Sequence, residues 1–199
     1  MRLRGLYAIT PGDLGRVAAA LASGALCALQ YRSKSAHAAQ RLREARMLAQ
    51  LCRAQGVPLI VNDDVELALA VDAQGVHLGR DDAGIAAARA RLPGRLIGAS
   101  CYDRLELAER AVAAGADYVA FGSVFASATK PGAVRAPLAL FAHDLGVPKV
   151  AIGGITAENA AQLRAAGADA VAVIADLFEA PDVAARAREY AKVFAHEPA

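Results

Sequence analysis

The sequence has few cysteines and few aromatic side chains, and neither positive nor negative residues predominate. Its three cysteines, Cys27, Cys52 and Cys101, are an odd number at wide spacing with no Cys-x-x-Cys pair. This excludes a disulfide framework and predicts free thiols. The 22 lysines and arginines nearly balance 20 acidic residues, for a net charge of +2, and are spread along the chain. Without a basic stripe, we expect no nucleic-acid partner.

Long hydrophobic runs are missing too, although 56% of the residues are hydrophobic. Alanine accounts for much of that fraction and aromatics for only 5% of the chain, and alanine favours helices. The longest weakly apolar stretch, Val17–Leu29, contains Ser23 and Gly24 and is too short to cross a bilayer. The sequence therefore predicts a soluble, cytoplasmic protein with no membrane partner.

What the chain does contain is a repeated strand signal. Eight short apolar segments, with alanine-rich amphipathic stretches between most of them, have the pattern of β-strands: Leu6–Thr10, Leu26–Arg32, Pro58–Asn62, Gly75–Gly79, Leu96–Ser100, Tyr118–Gly122, Lys149–Gly153 and Ala170–Ala175. Alternating strands and helices imply a parallel sheet, and eight repeats of about 25 residues suit a closed barrel. We predict an α/β fold, a (β/α)8 TIM barrel forming a single domain over residues 1–199.

The carboxyl ends of the strands in such a barrel meet at one face, so polar residues there share a mouth. Strand 2 ends in Gln30-Tyr31-Arg32-Ser33-Lys34, which places an amide and two cations together. Arginine can hold two anionic oxygens at once and lysine adds a point charge, a combination suited to phosphate or pyrophosphate. A solvated helix start is the alternative for this cluster taken alone.

Two acidic pairs follow neighbouring strands. Strand 3 ends in Asn62-Asp63-Asp64, and strand 4 is followed by Arg80-Asp81-Asp82. Magnesium favours one or two carboxylates together with water and phosphate oxygens, so one aspartate from each pair is enough to hold it. Helix N-caps at the surface are the alternative reading of each pair.

The remaining strand ends carry hydroxyls, glycines and one long connection. Ser100 ends strand 5 without a catalytic partner and is interpreted as a binding group. The connection from Phe121 to Arg135 has the length of a functional loop, with a surface loop as the alternative. Strand 7 ends in Gly153-Gly154 and strand 8 leads into Ile174-Ala175-Asp176, where this fold binds phosphate through backbone amides. His77 is interpreted as a barrel histidine with satisfied hydrogen bonds.

These groups together predict two anionic ligands, one bound by metal and cations and the other by backbone amides. A pyrophosphate leaving group facing a phosphorylated acceptor would use every part of the mouth, because cations and magnesium stabilise the charge on a departing pyrophosphate.

Six motifs occur in a fixed order along nearly the whole chain: Gly-Leu-Tyr-Ala-Ile-Thr at 5–10, Gln-Tyr-Arg-Ser-Lys at 30–34, Val-Asn-Asp-Asp at 61–64, Gly-Val-His-Leu-Gly-Arg-Asp-Asp at 75–82, Ala-Thr-Lys-Pro at 128–131 and Ala-Ile-Gly-Gly-Ile-Thr at 151–156. Together they resemble the thiamine-phosphate synthase family. The resemblance implies magnesium-dependent condensation of hydroxymethylpyrimidine pyrophosphate with a thiazole phosphate carboxylate. Pyrophosphate would leave first, and the thiazole nitrogen would capture the pyrimidine carbocation.

The resemblance also implies roles for individual residues. The pyrimidine pyrophosphate would bind at Gln30, Tyr31, Arg32, Ser33, Lys34, Asn62, Ser100 and Lys130. The magnesium ligands would be Asp63 and Asp82, and Asp64 and Asp81 would be carboxylates near the metal that do not bind it directly. The thiazole phosphate would bind at Ser127, Ala128, Thr129, Gly154, Ile174 and Ala175. The groups that act on the reacting atoms would be Arg32, Lys34, Ser100 and Lys130.

The chain departs from the family at Ala175, where a serine is common, and at Asp176, where a small neutral residue is common. These changes predict weaker binding of the thiazole phosphate rather than lost chemistry. Related thiazole tautomerases share the barrel and resemble this chain around Arg32-Ser33-Lys34-Ser35, but they use a histidine near the position of Ser123. The absence of that histidine, with Asp63, Asp82 and the Thr-Lys-Pro motif present, favours the synthase. A Schiff-base aldolase would need Lys34 or Lys130 to be buried with a depressed pKa, whereas we expect both at the rim of the barrel. A thiamine-phosphate sensor that binds without turnover and a homo-oligomeric state stay compatible with the sequence.

Overall fold

The computed structural model describes residues 3–10, 13–35, 37–79, 82–126 and 134–195, with the backbone alone at 82 and 83. Eight parallel strands close into a barrel in chain order. They are β1 Gly5–Ile9, β2 Leu26–Tyr31, β3 Leu59–Asn62, β4 Gly75–Leu78, β5 Leu96–Tyr102, β6 Tyr118–Gly122, β7 Lys149–Ile152 and β8 Ala170–Val173. The predicted (β/α)8 barrel is confirmed.

Two strands end two residues away from the predicted position, and every other strand end agrees with the prediction to within one residue. Strand β5 continues to Tyr102 after a shift in register between Ser100 and Tyr102. Strand β8 ends at Val173, two residues short of the predicted Ala175, because Ile174 leaves the extended conformation and a short helix begins at Ala175. The phosphate-binding pair expected at 174–175 therefore lies at a helix start rather than within a strand.

The helices pack around the barrel. Their bounds are α1 Leu14–Ala22, α2 Ala38–Gln55, α3 Val65–Ala70, α4 Asp82–Arg91, α5 Leu105–Ala113, α6 Ala160–Ala165, α7 Ala175–Phe178 and α8 Val183–Ala195, with a 3-10 helix at Leu138–Ala142 between β6 and β7. Helix α2 shows why the sequence folds this way. Its buried residues Ala45, Leu48, Ala49 and Cys52 recur at helical spacing, so one narrow face packs on the barrel.

The strands separate two apolar layers because successive side chains point to opposite faces. In β6, Val119 and Phe121 face the helices, whereas Tyr118 and Ala120 face the barrel interior. The interior combines the large rings of Tyr7 and Tyr118 with small residues, including Ala28, Ala120, Ala170 and Ala172. Small neighbours leave the space in which two phenol groups meet near the barrel axis.

The three cysteines are free thiols, as predicted, with Cys52 and Cys101 buried and Cys27 half-buried. In the described parts of the chain, no helix combines the length and apolarity needed to cross a membrane.

Candidate active site

The cationic loop after β2 is anchored through its backbone. The buried Thr10 hydroxyl, just after β1, donates to the Arg32 carbonyl at 3.1 Å and accepts from the Arg32 amide at 2.9 Å. The side chains of Arg32 and Lys34 are exposed, and within the described residues neither is paired with a carboxylate. Both cations are therefore held at the mouth and available to an anion.

A second network braces the same loop from the helix side. The Tyr31 hydroxyl donates to Glu44 at 2.7 Å, Gln40 donates to Glu44 at 2.8 Å, and Ser35 donates to Gln40 at 3.0 Å. Burial, together with the bond to Glu44, raises the pKa of Tyr31 to about 12. The Tyr31 ring thus faces α2 rather than the mouth, so a substrate contact from this residue would have to come from its backbone.

The acidic corner after β3 distinguishes its two aspartates. Asp64 caps α3 by accepting from the Leu67 amide at 2.9 Å, and its other oxygen lies 3.6 Å from Arg41. Asp63 is exposed and has a left-handed φ of 60°, a conformation that aspartate tolerates better than most residues. The Asn62 amide donates to the Asp63 carboxylate at 2.7 Å. Asp63 is therefore oriented at the mouth, while Asp64 has a structural role.

The two acidic positions after β3 and β4 fit a magnesium ion. Asp82 begins α4 after β4, and β4 pairs with β3 so that His77 lies opposite Asn62. The two predicted ligands, Asp63 and Asp82, thus follow neighbouring strands. No group of three metal-binding side chains occurs among the described residues. Magnesium does not require one, because it retains several waters and takes phosphate oxygens from its substrate.

Ser100 and Gln30 are joined inside the barrel by His77, Tyr118 and Tyr7. The sequence singled out only His77 of these three, and it did not predict that Ser100 has a histidine partner. Ser100 lies 2.9 Å from His77 Nε2, and His77 Nδ1 lies 3.1 Å from the Tyr118 hydroxyl. The Tyr118 and Tyr7 hydroxyls are 2.8 Å apart, and Gln30 donates to Tyr7 at 3.0 Å. Burial lowers the pKa of His77 to about 4 and raises the pKa values of both tyrosines. The expectation that His77 has satisfied hydrogen bonds is met.

The turn after β7 allows a close approach of two backbones. Gly153 and Gly154 have φ of 105° and 65°, and a Cβ on Gly154 would lie 2.3 Å from the Ala126 carbonyl oxygen. The Asn159 amide donates to the Gly154 carbonyl at 3.0 Å. Ser123, where the tautomerases have a histidine, donates its hydroxyl to the Phe125 carbonyl at 2.9 Å. Gly154 therefore packs against Phe125 and Ala126, at the start of the loop after β6.

Asp176 is turned away from the predicted phosphate site. Its two oxygens accept from Arg186 on α8 at 2.8 and 2.6 Å, and the buried Tyr190 hydroxyl donates to it at 2.5 Å. The bonds to Asp176, and then to Glu158, raise the pKa of Arg186. Ile174, by contrast, is partly exposed, at 38%. The negative charge of Asp176 is thus neutralised on the side of α8.

Several predicted residues lie outside the described residues. They are Asp81, Ser127, Ala128, Thr129 and Lys130. Of Asp82 only the backbone position is described.

The fold and the mouth define a (β/α)8-barrel enzyme with exposed cations and an oriented carboxylate at the carboxyl ends of its strands. The family model described as thiamine monophosphate synthase (TMP-TENI) matches residues 6–177. The chain belongs to this thiamine monophosphate synthase family.

Individual relatives support the assignment over the full length. The chain is 60% identical over 202 residues to the thiamine-phosphate synthase of Chromobacterium violaceum, with 97% of each chain covered. It is 57% identical over 203 residues to that of Aromatoleum aromaticum, again with 97% of each covered. The solved structure of thiamine phosphate pyrophosphorylase from Pyrococcus furiosus superposes with a TM-score of 0.86 at 35% identity, covering 98% of this chain and 96% of that one.

Proposed function

We propose that this protein condenses hydroxymethylpyrimidine pyrophosphate with thiazole phosphate, or its carboxylate, to form thiamine phosphate and pyrophosphate, as a magnesium-dependent transferase. The observation that carries the proposal is that the exposed cations after β2 and the oriented Asp63 after β3 lie at neighbouring strand ends. Relatives named thiamine-phosphate synthase that are more than half identical support it. The proposal includes a cytoplasmic location and no nucleic-acid partner.

The cations and the acidic corner would act on the leaving group. Arg32 can bind two pyrophosphate oxygens in one plane while Lys34 adds a mobile charge, and Lys130 would join them from the loop after β6. Asp63 and Asp82 would hold magnesium, which supplies positive charge beside the pyrophosphate oxygens. Positive charge fixed in advance around the leaving group stabilises the transition state most, because that is where negative charge develops.

The barrel interior would hold the pyrimidine. Gln30 and Asn62 supply amides at neighbouring strand ends, and Ser100 supplies a hydroxyl from β5. The apolar residues beneath them, including Ile9, Ile60 and Ala172, are buried. A reactive pyrimidine cation formed there would be shielded from water until the thiazole nitrogen attacks it.

The second substrate would bind its phosphate across the mouth, at Gly154 and at the start of α7. Ala175 has no hydroxyl, so the contact would come from backbone amides. The charge of Asp176 does not oppose such binding, because Arg186 neutralises it.

Three alternatives to the synthase make different demands on the site. A tautomerase would need a ring nitrogen near Ser123, whose hydroxyl is bonded to the Phe125 carbonyl. A Schiff-base aldolase would need a buried lysine with a lowered pKa, whereas Lys34 is exposed. A thiamine-phosphate sensor would bind product without releasing pyrophosphate.

Matched aspartate variants test the proposal. Asp63→Asn removes a magnesium-binding charge, so pyrophosphate release from both substrates should fall at least about 100-fold, as for the loss of about 2.7 kcal/mol of transition-state stabilisation. Asp64→Asn keeps an oxygen that can cap α3, so its activity should fall less than about tenfold. Equal activity in the Asp63→Asn variant and the wild type would contradict the proposed site.

A further inference from the structure

A continuous chain of hydrogen bonds crosses the barrel interior. It runs from Ser100 through His77, Tyr118 and Tyr7 to Gln30, with donor–acceptor distances of 2.9, 3.1, 2.8 and 3.0 Å. His77 is 8% exposed, Gln30 is 3% exposed and each tyrosine is 1% exposed. Only the two ends of this chain are residues assigned to substrate binding.

The hydrogen bonds of this chain can all have the same donor-to-acceptor direction. Gln30 donates through its amide nitrogen, so the Tyr7 oxygen accepts at that end. If Tyr7 also accepted from Tyr118, its own buried hydrogen would have no acceptor among the described residues. An unpaired buried donor is costly, so Tyr7 donates to Tyr118 and Tyr118 donates to His77 Nδ1.

The hydrogen of the neutral His77 ring is then on Nε2. A neutral imidazole carries one N–H and one acceptor nitrogen, and Nδ1 is the acceptor from Tyr118. Nε2 consequently donates to the Ser100 oxygen at 2.9 Å. Among the described residues the hydroxyl hydrogen of Ser100 has no acceptor and the amide oxygen of Gln30 has no donor, so both can meet a ligand in the mouth.

We propose that this interior chain sets the hydrogen-bond polarity of the active site, with Gln30 presenting an acceptor and Ser100 presenting a donor. Tyr7, Tyr118 and His77 are positioning residues that act through those two side chains. The polarity fits a substrate with a ring amino group on one side and an anionic leaving-group oxygen on the other. The identity of that substrate rests on the proposed function, whereas the direction of the chain does not.

The packing around Tyr118 shows that the chain is built into the barrel. A Cβ at Gly98 would lie 2.0 Å from Tyr118 Cζ and 2.3 Å from its hydroxyl oxygen. The Tyr7 and Tyr118 rings pack edge to face with centroids 6.0 Å apart, and the His77 and Tyr118 centroids are 5.6 Å apart. The absent side chain at Gly98 therefore provides the space that Tyr118 needs to reach both partners.

The histidine tautomer tests the proposal without substrate. Replacing His37, His143 and His196 by glutamine leaves His77 as the one remaining histidine of four. Nitrogen-15 NMR of this protein at neutral pH should show the proton on Nε2 and an unprotonated Nδ1. A proton on Nδ1, or on both nitrogens, would overturn the proposal. Because no substrate is present, this result is independent of the synthase assignment.

Two phenylalanine variants test whether Tyr118 donates a hydrogen bond to His77. Tyr118→Phe removes the donor to Nδ1 and should shift the Nδ1 resonance of His77. Tyr190→Phe removes a buried hydroxyl outside the barrel interior and should leave the resonance in place. An unshifted Nδ1 signal in Tyr118→Phe would overturn the assigned donor.

Kinetics with Tyr7→Phe separate positioning from general stability. The variant removes the hydroxyl that accepts from Gln30, while it keeps the hydrogen bond between His77 and Ser100. The KM for the pyrimidine pyrophosphate should rise about 3- to 10-fold, the loss expected for one hydrogen bond, and the KM for the thiazole phosphate should change much less. Equal changes in both KM values would overturn the positioning role of Tyr7.

Discussion

Removing the Asp176 carboxylate should destabilise the fold without improving thiazole phosphate binding. Asp176 makes two charge-assisted bonds to Arg186 and accepts from Tyr190, and both partners of the ion pair are mostly buried, at 16% and 19% side-chain exposure. Hydrogen bonds to charged groups contribute about 1.5–3 kcal/mol each. Arg186 retains carboxylate partners at Glu158 and Glu189, so the net loss is smaller than for a severed isolated pair.

We expect Asp176→Ala to lower the free energy of unfolding by about 2 kcal/mol. For a chain of this size, that corresponds to a fall in Tm of about 4–8 °C. Glu189→Ala is the matched control, because it removes a single bond from the same arginine to a half-exposed carboxylate. That change should cost about 0–1 kcal/mol. Urea unfolding and thermal melting of the three proteins measure both differences.

An Asp176→Ala variant as stable as the wild type would contradict the structural role of the Asp176–Arg186 pair. That role would also be contradicted if Asp176→Asn lowered the KM for thiazole phosphate more than about tenfold, a difference of about 1.4 kcal/mol. That result would show that the carboxylate acts on the phosphate rather than on Arg186.

Three further predictions concern the mouth and the interior. Thr10→Val removes both bonds to the Arg32 backbone and should cost about 1–2 kcal/mol while raising the KM for the pyrimidine pyrophosphate, as steady-state kinetics would show. Gly98→Ala places a Cβ 2.0 Å from Tyr118 and should cost about 1–3 kcal/mol by overpacking; an unchanged Tm would contradict the packing described. Burial lowers the pKa of His77 from 6.5 to about 4. Above pH 6.5 the ring is neutral in both the folded and the unfolded chain, so its titration does not change the free energy of unfolding there. Below that pH the unfolded chain binds a proton that the folded one does not, so the free energy of unfolding should fall by about 1.4 kcal/mol per pH unit down to about pH 4. Urea unfolding at a series of pH values should show this slope in the wild type and a shallower one in His77→Gln.

The barrel could be predicted because its signal is local and repeated. Each strand is a short apolar segment, and the strand order follows from the chain order in this fold. The same logic placed Arg32, Lys34 and Asp63 at strand ends. Their roles follow from the resemblance to the family, and substrate binding by these residues stays a prediction.

The direction of Tyr31 could have been inferred from alternation. Consecutive strand residues point to opposite faces, so an inward Gln30 requires an outward Tyr31. The polar residues from 30 to 34 obscure this alternation, because the resemblance to the family assigns all five to the same ligand.

The interior chain had no local signal. Tyr7 and Tyr118 are 111 residues apart, and each resembles an ordinary strand residue in its own segment. Their contact depends on the register of a closed barrel, which periodicity does not determine. The same holds for Asp176, whose partner Arg186 lies on the next helix.

The most direct test of the proposed synthase activity is the joint measurement of both products. Purified protein would receive both phosphorylated substrates, once with magnesium and once with a chelator. We expect pyrophosphate and thiamine phosphate to form in equal amounts with magnesium, and neither to form with the chelator. Folded protein that released no pyrophosphate in the presence of magnesium, or that isomerised the thiazole phosphate alone, would contradict the proposed synthase.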